Sequence, residues 1–180
     1  MPEITDLFAN SGRAAPAAAV PMVQLIVFKL GSEEYGIRIE QVKEVTVTPE
    51  VARMPKTPPF IKGIANLRGD IIAILDLEER FMLAPAGRPL PEKSFTLAVE
   101  AADYVLGLVV REVPRPLTMQ LSQIEPAPEF VQDGHQHDKY LEGIAKLPDG
   151  SIIIVLDMRK LLLPAEILKL SNAKASFPKN

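Results

Sequence analysis

Apolar residues in this chain come in short runs, several of them alternating with polar positions, and turn residues separate the runs. Short runs rich in β-branched residues and bounded by Gly, Pro or Asp predict strands. On that basis strands are expected over Val23 to Leu30, Glu34 to Ile39, Val42 to Val47, Ile71 to Leu75, Ser94 to Val99 and Tyr104 to Val113. Ile37 and Ile39 alternate with Arg38 and Glu40, the mark of a half-buried face. Gly31-Ser32-Glu33 reads as a turn. Thr48 to Pro59 reads as a loop, because Pro49, Pro55, Pro58 and Pro59 cannot donate to a sheet ladder. Pro114 and Pro116 interrupt the pattern, Leu121 to Ile124 suits one helical turn, and Glu125 to Lys139 is a polar loop.

One stretch organises the rest. Pro59 to Phe81 combines an apolar approach (Ile61, Ile64, Leu67), a tight turn at Arg68-Gly69-Asp70, a buried-type strand and an Asp76-x-x-Glu79 helix start. Tyr140 to Leu162 repeats it: Gly63-Ile64-Ala65 matches Gly143-Ile144-Ala145, and Ile74-Leu75-Asp76-Leu77 matches Val155-Leu156-Asp157-Met158. Upstream, Tyr35-Gly36-Ile37 matches Leu106-Gly107-Leu108, and Asp149-Gly150 is the corresponding hairpin turn. A repeat of this size predicts two similar subdomains. Short strands with helices only at the margins predict small closed barrels, which leave no exposed strand edge.

The predicted organisation follows. Residues 1–21 form an Ala/Pro-rich tail, with room for a short helix at Ile4 to Ala9. A single domain spans 22–170: a first barrel at about 34–93, a second at about 94–160, and terminal segments 22–33 and 161–170 packing across them. Met82 to Lys93 is the linker between barrels. Pro164 starts a short helix over Ala165 to Leu170, and 171–180 is a second tail.

Composition narrows the function classes. Net charge is −3 with a pI near 5.5, so no broad basic surface awaits a phosphate backbone. Trp is absent and Tyr and Phe are few, which removes the aromatic platforms of single-strand binders. There is no cysteine, hence no disulfide, thiolate metal site or Cys nucleophile. The apolar runs are too short to span a bilayer, and Glu3 and Asp6 stand where a signal peptide carries cations. No direct membrane insertion is expected.

Candidate chemistry is sparse. Asp76 and Asp157 hold equivalent places and could be read as a catalytic pair in an Asp-based hydrolase. No His, Lys or Ser matches them as a partner, and helix capping explains both. His135 and His137 lie with Asp133 and Asp138 in a polar loop, a poor metal spacing. Arg68-Gly69-Asp70 looks like an integrin tripeptide, but turn chemistry accounts for it. No catalytic residue, cofactor or metal is expected. Surface remains: Val42 and Glu44 on a strand beside the proline loop, Arg68 at a hairpin tip, and Phe130 in a proline-rich loop. An Arg beside apolar strand edges is a common binding anchor.

These residues resemble the CheW family, the coupling proteins of bacterial chemotaxis, over about Val23 to Leu170. The resemblance rests on Glu34-Tyr35-Gly36-Ile37, Val42-Lys43-Glu44-Val45, Pro59-Phe60-Ile61-Lys62-Gly63 and Asn66-Leu67-Arg68-Gly69. In the second half it rests on Val105 to Val110, Pro126 to Phe130 and Ile153 to Asp157. It implies a mainly β fold of two SH3-like five-stranded β-barrel subdomains with short helices and a hydrophobic groove between them. It implies a non-enzymatic, cytoplasmic adaptor, recruited to receptor arrays at the inner membrane. Its partners would be the cytoplasmic tip of a methyl-accepting chemoreceptor and the regulatory domain of a CheA-type histidine kinase. Val42, Glu44, Gly63 and Arg68 match the family's receptor-facing positions, and Phe130 matches the second-barrel surface that closes kinase–adaptor rings. Arg111 departs from the family, which often has Asp there. That and the long Ala/Pro-rich start are compatible with a pilus-driven or other specialised motility pathway.

Overall fold

The architecture follows from the strand pattern. A computed structural model describes residues 18–101, 103–128, 138–162 and 166. Along them run β1 (Met22–Leu30), β2 (Glu33–Arg38), β3 (Val42–Val47), β4 (Ile61–Leu67), β5 (Asp70–Asp76), helix α1 (Leu77–Arg80), β6 (Phe95–Ala101) and β7 (Tyr104–Val110). Then come β8 (Arg115–Gln120), β9 (Ile124–Glu125), β10 (Leu141–Lys146) and β11 (Ile152–Leu156). The order in one sheet is β3-β6-β7-β5-β4, and in the other β8-β1-β2-β11-β10-β9. The fold is mainly β with two β-subdomains, as the repeat predicts.

The sheets do not divide the chain where the repeat suggests. The expected split at residues 93/94 would put β2–β5 in one barrel and β6–β11 in the other, with β1 packing across them. Instead the two halves exchange their opening hairpins. The β6–β7 hairpin sits between β3 and β5, and the β1–β2 hairpin sits between β8 and β11. Two parallel pairings make the exchange: Ile74 lies opposite Gly107 in β5–β7, and Val155 opposite Gly36 in β11–β2. The terminal segment 22–33 is therefore no cross-packing strap; β1 is a full strand bonded on both sides. The predicted helix over 165–170 lies outside the described residues, apart from Glu166.

The repeat itself is kept in detail. Each hairpin carries an irregularity before its glycine, between Ile61 and Gly63 in one and Leu141 and Gly143 in the other. The Asp76 amide donates to the Phe60 carbonyl at 2.8 Å, and the Asp157 amide to the Tyr140 carbonyl at 2.7 Å. Strand β8, which the prolines hid, forms because it lies at the sheet edge. Pro116 pairs with Ile26 there, and an edge strand needs donors on one side only.

Among the described residues, three apolar clusters form the core. Ala65, Ile72, Ile74 and Val109 fill the first barrel, and Leu25, Val27, Ile153 and Val155 the second. The largest cluster lies on the seam between the sheets and draws Phe28, Ile37, Leu75, Leu97, Leu108 and Leu156 from both. A file of rings crosses this seam: Phe28 to Tyr35 at 6.5 Å, Tyr35 to Phe81 at 5.9 Å, and Phe81 to Tyr140 at 5.7 Å. Burial, then the nearby Glu33, pushes the Tyr35 hydroxyl up to about 12.

Candidate functional site

The rim of the first barrel is built by the two edges of the five-stranded sheet. Strand β3 is one edge and β4 the other. At the end of β4 the chain turns through Arg68 (φ 53°) and Gly69 (φ 96°). Two successive positive φ values make the mirror-image turn that suits a twisted hairpin. The Asn66 side-chain oxygen accepts from the Gly69 amide at 2.8 Å and steadies the turn. Arg68 then extends over the rim, 82% exposed, and its Nε pairs with Glu44 of β3 at 2.6 Å. The structure thus brings together two of the expected receptor-facing residues and ties the sheet's two edges.

Strand β3 alternates half-buried and exposed positions. Val42 packs partly against the seam core, while Val45 and Val47 stand 42% and 67% exposed. The bare valines follow from that alternation.

Gly63 is buried and works differently from its neighbours. Its φ is 144°, and a Cβ there would lie 2.1 Å from the Ala52 carbonyl oxygen. Ala52 exchanges two backbone hydrogen bonds with Ile64, at 2.8 and 2.9 Å, so the missing side chain lets the proline loop dock on β4. Gly63 therefore shapes the rim from beneath. Phe130, His135 and His137 lie outside the described residues.

The two equivalent aspartates are caps. Asp76, 2% exposed, accepts from the Glu78 and Glu79 amides at 3.0 and 3.3 Å. Arg88 grips the same carboxylate with two bonds of 2.9 Å. Asp157 accepts from the Arg159 amide at 3.1 Å and from its guanidinium at 2.9 Å, which holds its carboxyl below the ordinary range despite burial. Both carboxylates are taken up by capping amides and a guanidinium. The reciprocal half of the Asp76-x-x-Glu79 pattern does not form: Glu79 turns to the buried Lys62 and to the Gly87 amide. Gly87 and Arg88 pin segment 82–93 onto α1.

Beside it lies an open cleft of about 280 Å³, lined by Val51, Arg53, Pro58, Pro59, Lys62 and Leu90 among others. Lys62 is already paired with Glu79. Arg111 also has an internal use. Its Nε donates to Glu78 at 3.0 Å, so the unusual cation after β7 is answered inside the chain. Burial raises the Glu78 carboxyl, but the Gly31 amide and the Arg88 and Arg111 guanidiniums outweigh it and hold the group below its usual value. Among the described residues no group of three His, Asp or Glu could hold a metal, and no helix is long and apolar enough to cross a membrane.

Comparison with known proteins points one way. The CheW-like domain family model matches residues 24–166. Chemotaxis protein CheW of Klebsiella aerogenes is 37% identical over 153 residues, 85% of this chain and 89% of that protein. CheW of Treponema pallidum is 31% identical over 151 residues, 83% of this chain and 87% of that one. The crystal structure of the scaffolding protein TtCheW from Thermoanaerobacter tengcongensis superposes with a TM-score of 0.70 at 33% identity, covering 80% of this chain and 94% of that one.

Proposed function

The chain belongs to the CheW-like family of chemotaxis coupling proteins, and from that premise we propose that it is a non-enzymatic adaptor. It joins the cytoplasmic tip of a chemoreceptor to the regulatory domain of a CheA-type histidine kinase, in the cytoplasm at receptor arrays. The observation that carries this reading is the rim of the first barrel. There an exposed Arg68 is held by Glu44, beside an edge strand that presents Val45 and Val47 to solvent. A fixed cation beside bare apolar strand residues is the composition of a protein-binding anchor.

An adaptor of this kind acts through geometry. It holds two partners so that a two-state equilibrium in one biases the other. Individual contacts can be weak, because linkage in an array raises their effective concentration. Arg68, Glu44 and Val42 form the receptor-facing surface, Gly63 supports it from below, and Phe130 belongs to the second-barrel surface that closes kinase–adaptor rings.

Charge reversal tests the assignment. Arg68→Glu sets two carboxylates against each other at the rim and is expected to reduce capture by receptor tips in a pull-down. Far-ultraviolet circular dichroism should stay unchanged, because Arg68 faces solvent and its ion pair contributes little stability. Undiminished capture by a folded variant would reject this surface.

A further inference from the structure

Helix α1 has four residues and sits where the sheets meet. Its Glu78 is 8% exposed and serves three other chain segments at once. One carboxylate oxygen accepts from the Gly31 amide at 2.8 Å, in the β1–β2 turn of the six-stranded sheet. The other takes Arg88, from the loop after α1, and Arg111, from the end of β7 at 3.0 Å. Its backbone carbonyl accepts from the Leu83 and Ala84 amides at 2.7 and 3.2 Å. Two residues on, Arg80 reaches the other way across the seam. It donates to the Tyr140 hydroxyl at 2.7 Å and to the Leu161 carbonyl at 3.3 Å.

The repeat supplies an internal control. The counterpart of Glu78 in the second unit is Arg159. It is 70% exposed and folds back on its own cap, Asp157. Among the described residues, Arg159 makes no such connection to a neighbouring hairpin turn. Shared ancestry of the units does not require it, and capping does not use it.

We propose that Glu78 is a conformational clamp: it fixes the β1–β2 turn of one barrel to α1 of the other, with Arg88 and Arg111 orienting its carboxylate, and so sets the angle between the barrels. The cation at Arg111 is part of this clamp and is not offered to a partner. Partner surfaces on different barrels then stand at a fixed angle; that last consequence rests on the adaptor reading above, whereas the clamp itself does not.

The test uses the full chain. It has no cysteine, so a single pair can be introduced at Lys43 and Lys146, exposed positions of the two sheets, for spin labels. In Glu78→Ala the inter-label distance distribution should broaden, and the Gly31 amide should exchange with deuterium at least tenfold faster. Glu78→Gln keeps an acceptor for Gly31 and should leave that amide protected. Should Glu78→Ala not fold, Arg111→Asp, which sets a like charge beside Glu78, should broaden the distances to a lesser degree. An unchanged distance distribution in a folded Glu78→Ala or Arg111→Asp chain overturns the clamp. Receptor pull-down with the same variants reports on the adaptor reading alone, so the two ideas fail separately.

Discussion

The two capping aspartates make a matched pair whose unequal surroundings yield a number. Replace each by Ala. Either change removes side-chain acceptors from a helix start, worth about 1 kcal/mol. Asp157 loses little more, because Arg159 is an exposed cation that water solvates readily. Asp76 differs. Its partner Arg88 is only 20% exposed on the side chain, and the pair is bidentate. Stripping one member from a buried pair costs about 3–5 kcal/mol when the other ion is left alone. Glu78 still holds Arg88, so about 2 kcal/mol is the fair figure under that same rule. The expected losses are then about 3 kcal/mol for Asp76→Ala and about 1 kcal/mol for Asp157→Ala. For a chain of this size that means melting points lower by roughly 6–12 °C and 2–4 °C. Urea unfolding followed by circular dichroism measures both, and the midpoints should move with the slope unchanged. Equal losses, or a larger loss at Asp157, would refute the reasoning that burial of the partner decides the difference.

Other expectations follow from the same geometry. The Glu78 and Asp157 carboxyls both titrate lower in the folded chain than their ordinary 4.5 and 3.8. Their stabilisation is therefore complete above those values and is lost as pH falls through the folded ones, so the stability gap between wild type and Asp157→Asn should shrink below about pH 4. Tyr35 titrates near 12, so stability should fall as pH rises from about 10 towards 12; Tyr35→Phe should delete the highest step of an ultraviolet tyrosine titration. Gly63→Ala places a methyl against the Ala52 carbonyl at a φ that disfavours side chains. It should cost about 3 kcal/mol or more and expose the 48–59 loop to protease, although residue 63 itself is buried.

Much of this was legible in the residues, and the failures have definite causes. Strand positions and the repeat follow from hydrophobic period and from two matching apolar-run-plus-Asp signatures. Partner choice between strands does not, because Gly36 and Gly107 look alike whichever hairpin they face. That is why the exchange of β1–β2 and β6–β7 was invisible. Pro116 hid β8, since a proline excludes a central strand but tolerates an edge one. Arg68 and Glu44 could be singled out, yet their ion pair depends on the sheet curling until β3 meets the β4–β5 turn. The roles of Arg88 and Lys62 had no sequence signal, because their acidic partners lie at the cap and first turn of a helix whose Glu79 promised a capping role it does not take.

The traded hairpins have an evolutionary consequence. Two identical half-length chains swapping ribbons would give the same architecture, but every substitution would then appear twice, once on each side of the dyad. Joined in one polypeptide, the halves are released from that constraint. The acidic α1 and its cationic twin at Met158–Lys160 show how far they have since diverged, and that freedom leaves the surface of each barrel to change on its own.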